Sequence, residues 1–183
     1  MTWNNFRKSI DYNGMTFGTK EMEFPKVEKI PSLVKSSFEI AVGGNDPPRE
    51  YWKKLGWSVI NSEDISKTAK EYRNYIQSSR GEFSVAKNVY AATRSGWFSC
   101  RSICYMAAGK PVVIQDTGFS KYIPTGKGVL AFATLEEAIE AIENVENDYH
   151  AHCQAAILIA RQYFSAGVVL KEMMNKIGIS YGY

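Results

Sequence analysis

Short apolar runs alternate with longer segments that carry a helical repeat along most of the chain. The apolar runs are FEIAVGG (38–44), WSVIN (57–61), EFSVAKN (82–88), PVVIQDTG (111–118) and GVLAF (128–132), and all are typical of strands. Between them, apolar residues recur every three or four positions, which is typical of helices packed on one side. This alternation predicts strand–helix–strand crossovers, and therefore an α/β fold with a Rossmann-like open parallel sheet and flanking helices.

The sequence also marks the ends of several predicted helices. PPREYWKKLG (47–56) has proline in its first turn and Gly56 past its end, and ISKTAKEYRNYIQSS (65–79) forms the next helical stripe. Thr134 and Glu137 have capping-box spacing at the start of TLEEAIEAIENV.

The two ends of the chain give different signals. Residues 147–178 are expected to form two more helices, the last with Met173 and Met174 filling the core. Residues 1–35 mix aromatic residues with glycine and proline and show neither a period of two nor one of 3.6. We expect residues 1–35 to be an irregular lead-in and residues 36–183 to be one Rossmann-like domain.

Composition and charge narrow the function classes. A chain of 183 residues can bury one core, and a net charge of +3 is too small to indicate nucleic acid binding. No stretch approaches the roughly 20 consecutive apolar residues of a membrane span, and no signal peptide is recognised. The three cysteines lack the spacing of a secreted scaffold, so we expect reduced thiols and a cytoplasmic protein. His150 and His152 are two positions apart and point apart on a predicted helix, so no metal site is expected.

The stretch SGWFSCRSICYMAAGKPVV (95–113) passes within a few positions from small polar residues to a helix that begins near Ser99. A helix N-terminus presents unpaired N–H groups and an effective charge of roughly +0.5, which favours a phosphate. In open parallel sheets, ligands bind beyond the carboxyl ends of the strands. The loops 43–47, 87–98 and 116–120 should therefore surround one anion site.

Several of these residues also have a purely structural interpretation. Ser99 could be only an N-cap and Arg101 a solvated residue of the first turn. The pair Gly43-Gly44 completes neither a dinucleotide fingerprint nor a P-loop. Asp116 could bind a sugar hydroxyl or could open a turn. Trp97 and Phe98 are expected to pack beneath the helix, and the alternative is that one of the two rings stacks on a sugar or base.

The segment GEFSVAKNVYAATRSGWFSCRSICYMAAGKPVVIQDTGFSKYIPTGKGVLAF (81–132), followed by TLEEAIEAIENV, resembles the C-terminal, donor-binding half of group 1 GT-B glycosyltransferases. The resemblance runs from about Phe38 to the end. It implies that Ser99 to Ser102 face the pyrophosphate of a nucleotide sugar and that Asp116 to Gly118 line the sugar side. Many such enzymes carry two glutamates eight positions apart, and here Gly96 and Cys104 stand at those positions.

The resemblance implies transfer of a sugar from a nucleotide diphosphate sugar to an unknown acceptor, with no metal or cofactor. Lys87, Arg94 and Arg101 would stabilise the departing diphosphate, and the sequence assigns no catalytic residue. The expected site residues are Gly43, Gly44, Lys87, Arg94, Ser95, Gly96, Ser99, Cys100, Arg101, Ser102, Asp116, Thr117 and Gly118.

A chain of this length holds one half of a GT-B fold. An N-terminal GT-B domain or a separate subunit is therefore an expected partner, because the second half closes the cleft around the reactants. The alternative is a non-catalytic Rossmann-like interaction or regulatory module that has lost donor chemistry. A receiver-like domain is disfavoured, because the end of the first predicted strand offers only Asp46 where such a domain clusters acidic residues.

Overall fold

The computed structural model describes residues 1–4 and 9–179, which form a mixed α/β fold with parallel sheets and flanking helices. The strands are β1 (Ile10–Tyr12), β2 (Met15–Phe17), β3 (Glu39–Val42), β4 (Ser58–Asn61), β5 (Glu82–Ser84), β6 (Val112–Gln115) and β7 (Val129–Phe132). The helices are α1 (Arg49–Lys54), α2 (Ala69–Ser78), α3 (Asn88–Ala92), α4 (Cys100–Ala107), α5 (Leu135–Asn147), α6 (Tyr149–Phe164) and α7 (Ala166–Lys176).

The parallel strands form two sheets. β3 pairs with β4, while β5, β6 and β7 form a second sheet with β6 in the middle. All four residues of β6 are buried, which is why its first three positions, Val112 to Ile114, are apolar. The sequence predicts the parallel strands but not the division into two sheets, because an apolar pattern does not say which strand edges meet.

Helix boundaries agree with the predicted end and capping signals at α1 and α5. Gly56, with φ +95°, follows α1 as predicted. Helix α2 begins at Ala69, later than the predicted start at Ile65, because the Thr68 hydroxyl caps it by accepting a hydrogen bond from the Glu71 amide at 3.1 Å, while Ser62–Ile65 form a 3₁₀ helix. Thr134 and Glu137 form the predicted capping box of α5, with both reciprocal hydrogen bonds present.

The segment after β5 differs from its prediction. The sequence favours a strand over residues 82–88, but the strand ends at Ser84 and helix α3 begins at Asn88. The amides of Asn88 and Val89 donate to the carbonyls of Thr19 and Gly18. The chain turns here because it meets a distant segment, and the local sequence holds no signal of that contact.

Residues 1–35 contain more structure than their pattern predicts. β1 and β2 form an antiparallel hairpin, and its turn residues Asn13 and Gly14 both have positive φ. Further along, Phe24 packs its ring against Trp52 and Trp57 in the core beneath the β3–β4 sheet. The lead-in segment therefore contributes side chains to the main core.

The two C-terminal helices are present as predicted, but the packing of the second differs. Helix α6 buries His152 and Ala156, whereas α7 buries none of its residues and Met173 is 57% exposed. The expectation that the α7 methionines fill the core is wrong. The 28-residue stretch Tyr149–Lys176 is long and apolar enough to cross a membrane by length and composition alone, with a mean hydropathy of 1.3 over an 18-residue window. The absence of a membrane span stays a prediction.

Candidate anion-binding site

A cavity of about 310 Å³ lies at the carboxyl ends of β5 and β6. Four of the residues expected from the sequence line it, namely Lys87, Ser99, Arg101 and Ser102. Lys20, which the sequence does not single out, lines it as well. This is the edge at which open parallel sheets bind their ligands.

The lining of this cavity is strongly cationic. Lys20, Lys87 and Arg101 contribute to it, and among the described residues no aspartate, glutamate or histidine does. Burial lowers the pKa of Lys20 from 10.5 to about 7, and the positive charges of Arg101 and Lys87 contribute to this shift. The negative charge of Glu82 acts in the opposite direction. Three cations that line one cavity favour an anionic ligand, because a bound anion would reduce the repulsion between them.

A buried polar network holds the Lys20 segment against the sheet. Lys20 itself donates to the Val85 carbonyl. The carboxylate of Glu23, only 2% exposed, accepts hydrogen bonds from Asn88 at 2.7 Å and from Gln115 at 2.5 Å. Burial would raise the pKa of Glu23, but hydrogen bonds from Lys26, Asn88 and Gln115 lower it below its ordinary value.

The first turn of α4 faces the cavity. Ser99 is the N-cap, as the sequence predicts, and its hydroxyl accepts a hydrogen bond from the Arg101 amide at 3.3 Å. Ser102 is fully buried, and within the described part of the chain its hydroxyl oxygen has no hydrogen-bond partner. A buried hydroxyl without a partner is costly, and a ligand oxygen in the cavity would satisfy it.

Arg101 is not a solvated residue. Its Nε donates to Glu82 Oε1 at 2.6 Å and its Nη2 donates to the Ser84 hydroxyl at 3.1 Å. The Arg101 side chain is 29% exposed and the Glu82 side chain 4%. The carboxylate of Glu82 raises the pKa of Arg101 above its ordinary value despite burial. Arg101 therefore anchors α4 to β5, and its charge is already largely compensated.

Six of the expected site residues belong to two loops beside the cavity and do not line it. Arg94 donates to Asp116 Oδ2 at 2.8 Å, and the Gly118 amide donates to Asp116 Oδ1 at 2.8 Å. Burial would raise the pKa of Asp116, but hydrogen bonds from Gly118, Arg94 and Ser120 lower it. The Gly96 amide donates to the Thr117 carbonyl, and the Ser95 hydroxyl donates to the Tyr90 carbonyl. The six residues are Arg94, Ser95, Gly96, Asp116, Thr117 and Gly118.

Two aromatic rings stand at the wall of the cavity. Trp97 is 46% exposed and stacks on Tyr90 with ring centroids 4.8 Å apart and planes 17° apart. Both rings line the cavity. The expectation that Trp97 packs beneath the helix is wrong, whereas Phe98 does pack inward, on Phe119 and Phe164.

The remaining expected residues, Gly43, Gly44 and Cys100, do not line the cavity. Gly44, with φ +100°, leaves no room for a side chain, because a Cβ there would lie 2.9 Å from the Asn4 carbonyl oxygen. Gly43 pairs with Thr2. This glycine turn accommodates the first residues of the chain. Cys100 and Cys104 are exposed on α4.

Sequence reasoning missed Lys20 and the Glu23 network. Both belong to a segment without a regular period, so no pattern in the sequence marks them. Within residues 1–4 and 9–179, no group of three or more histidine, cysteine, aspartate or glutamate side chains could hold a metal ion.

No protein-family profile matches the chain, and a search of curated proteins finds no match either.

Proposed function

We propose that this chain is the donor-binding half of a GT-B type glycosyltransferase and that its cationic cavity receives the diphosphate of a nucleotide sugar. The observation that carries the proposal is the cavity itself. Two lysines, an arginine and a buried hydroxyl that has no hydrogen-bond partner among the described residues meet there, at the carboxyl ends of parallel strands.

The geometry favours particular contacts. Lys20 and Lys87 contribute charge to the cavity, whereas Arg101 is held by Glu82. The Ser102 hydroxyl lies at the first turn of α4, where the helix end adds a partial positive charge. Tyr90 and Trp97 present an aromatic wall on which a sugar or a base can stack. The volume of about 310 Å³ is at the lower end of ligand sites and fits a diphosphate with part of one neighbouring group.

The alternative is a non-catalytic Rossmann-like module. One observation favours it: among the described residues that line the cavity there is no carboxylate or imidazole to act as a base. A donor half whose base comes from another domain or subunit would show the same lining. Binding of a nucleotide diphosphate is expected of the donor half and not of the module.

The test is calorimetric titration with UDP, GDP and ADP. We expect at least one of them to bind, and both Lys20→Met and Lys87→Met to weaken that binding about tenfold, because each removes a charge-assisted contact. Lys54→Met on the exposed face of α1 is the matched control and should leave the affinity unchanged. Arg101→Ala is less informative, because it leaves Glu82 buried without its partner.

If none of the three diphosphates binds the folded protein, the donor-site proposal is wrong. An affinity that both lysine substitutions leave intact would place the diphosphate outside this cavity.

A further inference from the structure

A second, larger cavity of about 770 Å³ runs along the gap between the two parallel sheets. Its walls include Glu39, Ile40 and Ala41 of β3 and all three residues of β5. β3 and β5 are not hydrogen-bonded to each other, so each presents one edge toward this gap. We call the gap between these two strand edges the inter-sheet slit.

The unpaired edges can be identified from the hydrogen bonds already made. Phe38 accepts from the Ser58 amide, so the even positions of β3 face β4 and the odd positions face the slit. The Glu82 amide donates to the Pro111 carbonyl, so Glu82 faces β6 and Phe83 faces the slit. The Ala41 amide of β3 and the Phe83 amide of β5 therefore both point into the slit.

The first residues of the chain already occupy one end of the slit as extended backbone. Thr2 pairs with Gly43 in parallel, the Gly43 amide donates to the Met1 carbonyl at 3.0 Å, and the Trp3 amide donates to the Gly43 carbonyl at 2.9 Å. The amino group of Met1 donates to the Ala41 carbonyl, in the position of a ladder hydrogen bond. Because this pairing is parallel, a residue joined to Met1 would lie next to Ala41 and those before it next to Ile40 and Glu39.

We propose that the inter-sheet slit is a strand-binding site, whose occupant is an extended polypeptide segment of about four residues that runs parallel to β3 and ends at Met1. Four extended residues span about 13 Å, which matches the length of β3. The occupant joins the two sheets into one, in the order β4, β3, the added strand, β5, β6, β7. The inference does not depend on the nucleotide proposal.

The two faces of the slit determine which types of side chain the occupant should carry. Met1 and Trp3 both pack against the apolar core around Phe24. Side chains alternate along a strand, so the second and fourth residues before Met1 face the same core and should be apolar. The first and third face the opposite wall, where Tyr72 and Arg101 line the slit, and should be polar.

The test adds four residues directly before Met1, released from a cleavable tag. The sequence Val-Thr-Val-Thr places valine on the core side, and Thr-Val-Thr-Val has the same composition with the faces reversed. We expect the first extension to raise the melting temperature by about 3 °C or more and to slow hydrogen exchange at the Ala41 and Phe83 amides at least tenfold. The reversed extension should do neither.

Equal effects of the two extensions, or unchanged exchange at Ala41 and Phe83 with the first one, would overturn the proposal. Titration with a nucleotide diphosphate in the same proteins separates the two proposals, because the strand site is tested by stability and exchange and the cationic cavity by affinity.

Discussion

Lys20 is the residue whose environment departs furthest from what its sequence position suggests. It follows a short hairpin in a segment without a regular period, yet its ammonium group reaches the Val85 carbonyl beside the cationic cavity. Ser99, in contrast, is predictable, because an N-cap is a local device and the sequence around it is sufficient. The difference is one of range: local hydrogen bonds leave a signature in the sequence, and contacts across 65 positions do not.

The lowered pKa of Lys20 predicts a pH-dependent stability. In the unfolded chain this group titrates at its ordinary value of 10.5, and in the folded protein at about 7, because of burial and the charges of Arg101 and Lys87. Between these values the unfolded chain binds more protons, so the free energy of unfolding should rise as pH increases from 7 toward 10. Urea denaturation at pH 8.0, 8.5 and 9.0 measures this slope.

Lys20→Met should flatten that dependence, and Lys29→Met, an exposed lysine of the same segment, should retain it. The interval above pH 8 avoids a contribution from the Met1 amino group. Burial is the main cause that lowers the pKa of this group from 8.0 to about 5, so it affects the pH dependence of stability between pH 5 and 8. A slope that survives in Lys20→Met would assign the dependence to another group.

At the scale of elements, the capping signals were the most reliable part of the sequence. Helix α5 begins where Thr134 and Glu137 predict, since both partners of the capping box lie within one turn. Helix α3 was missed because its start is set by the carbonyls of Thr19 and Gly18. Helix α7 was predicted correctly as a helix but wrongly as a core element, because periodicity shows an apolar stripe without showing what covers it.

Thr134→Ala should lower the free energy of unfolding by about 1 kcal/mol, because it removes the acceptor of the Glu137 amide at 3.2 Å. This corresponds to a fall of about 2–4 °C in the melting temperature of a chain of this size. Differential scanning calorimetry measures both quantities. The control Thr134→Ser keeps the hydroxyl, and its free energy of unfolding should remain within about 0.5 kcal/mol of that of the parent protein. If the Ser variant is as unstable as the Ala variant, the loss of stability comes from the methyl group and not from the cap.

At the scale of the whole molecule, one buried carboxylate connects three distant parts of the chain. Glu23 accepts hydrogen bonds from Asn88 at the start of α3 and from Gln115 at the end of β6. Asn88 in turn accepts a hydrogen bond from the Gly18 amide at 3.0 Å. The first segment, the loop after β5 and the central strand are thereby fixed to one another around the cationic cavity.

Glu23→Gln should lower the free energy of unfolding by about 2 kcal/mol. The NH₂ group of the new side chain would face the NH₂ group of Asn88 or Gln115, and two donors cannot form a hydrogen bond with each other. We also expect faster hydrogen exchange at the Gly18 amide, measured by mass spectrometry, since its acceptor Asn88 loses its own partner. Glu140→Gln, exposed on α5, is the matched control and should change neither quantity. An unchanged Gly18 exchange rate would show that the segment is held by other contacts.

Trp97 has a further use that follows from its position. Of the four tryptophans, Trp52 is fully buried, Trp57 is 5% exposed and Trp3 is partly buried in the core, whereas Trp97 is 46% exposed on the wall of the cavity. A water-soluble fluorescence quencher should therefore reach Trp97 before the others. A guest stacked on that indole would shield it from collisions, so the protein carries an intrinsic optical reporter of cavity occupancy without any label.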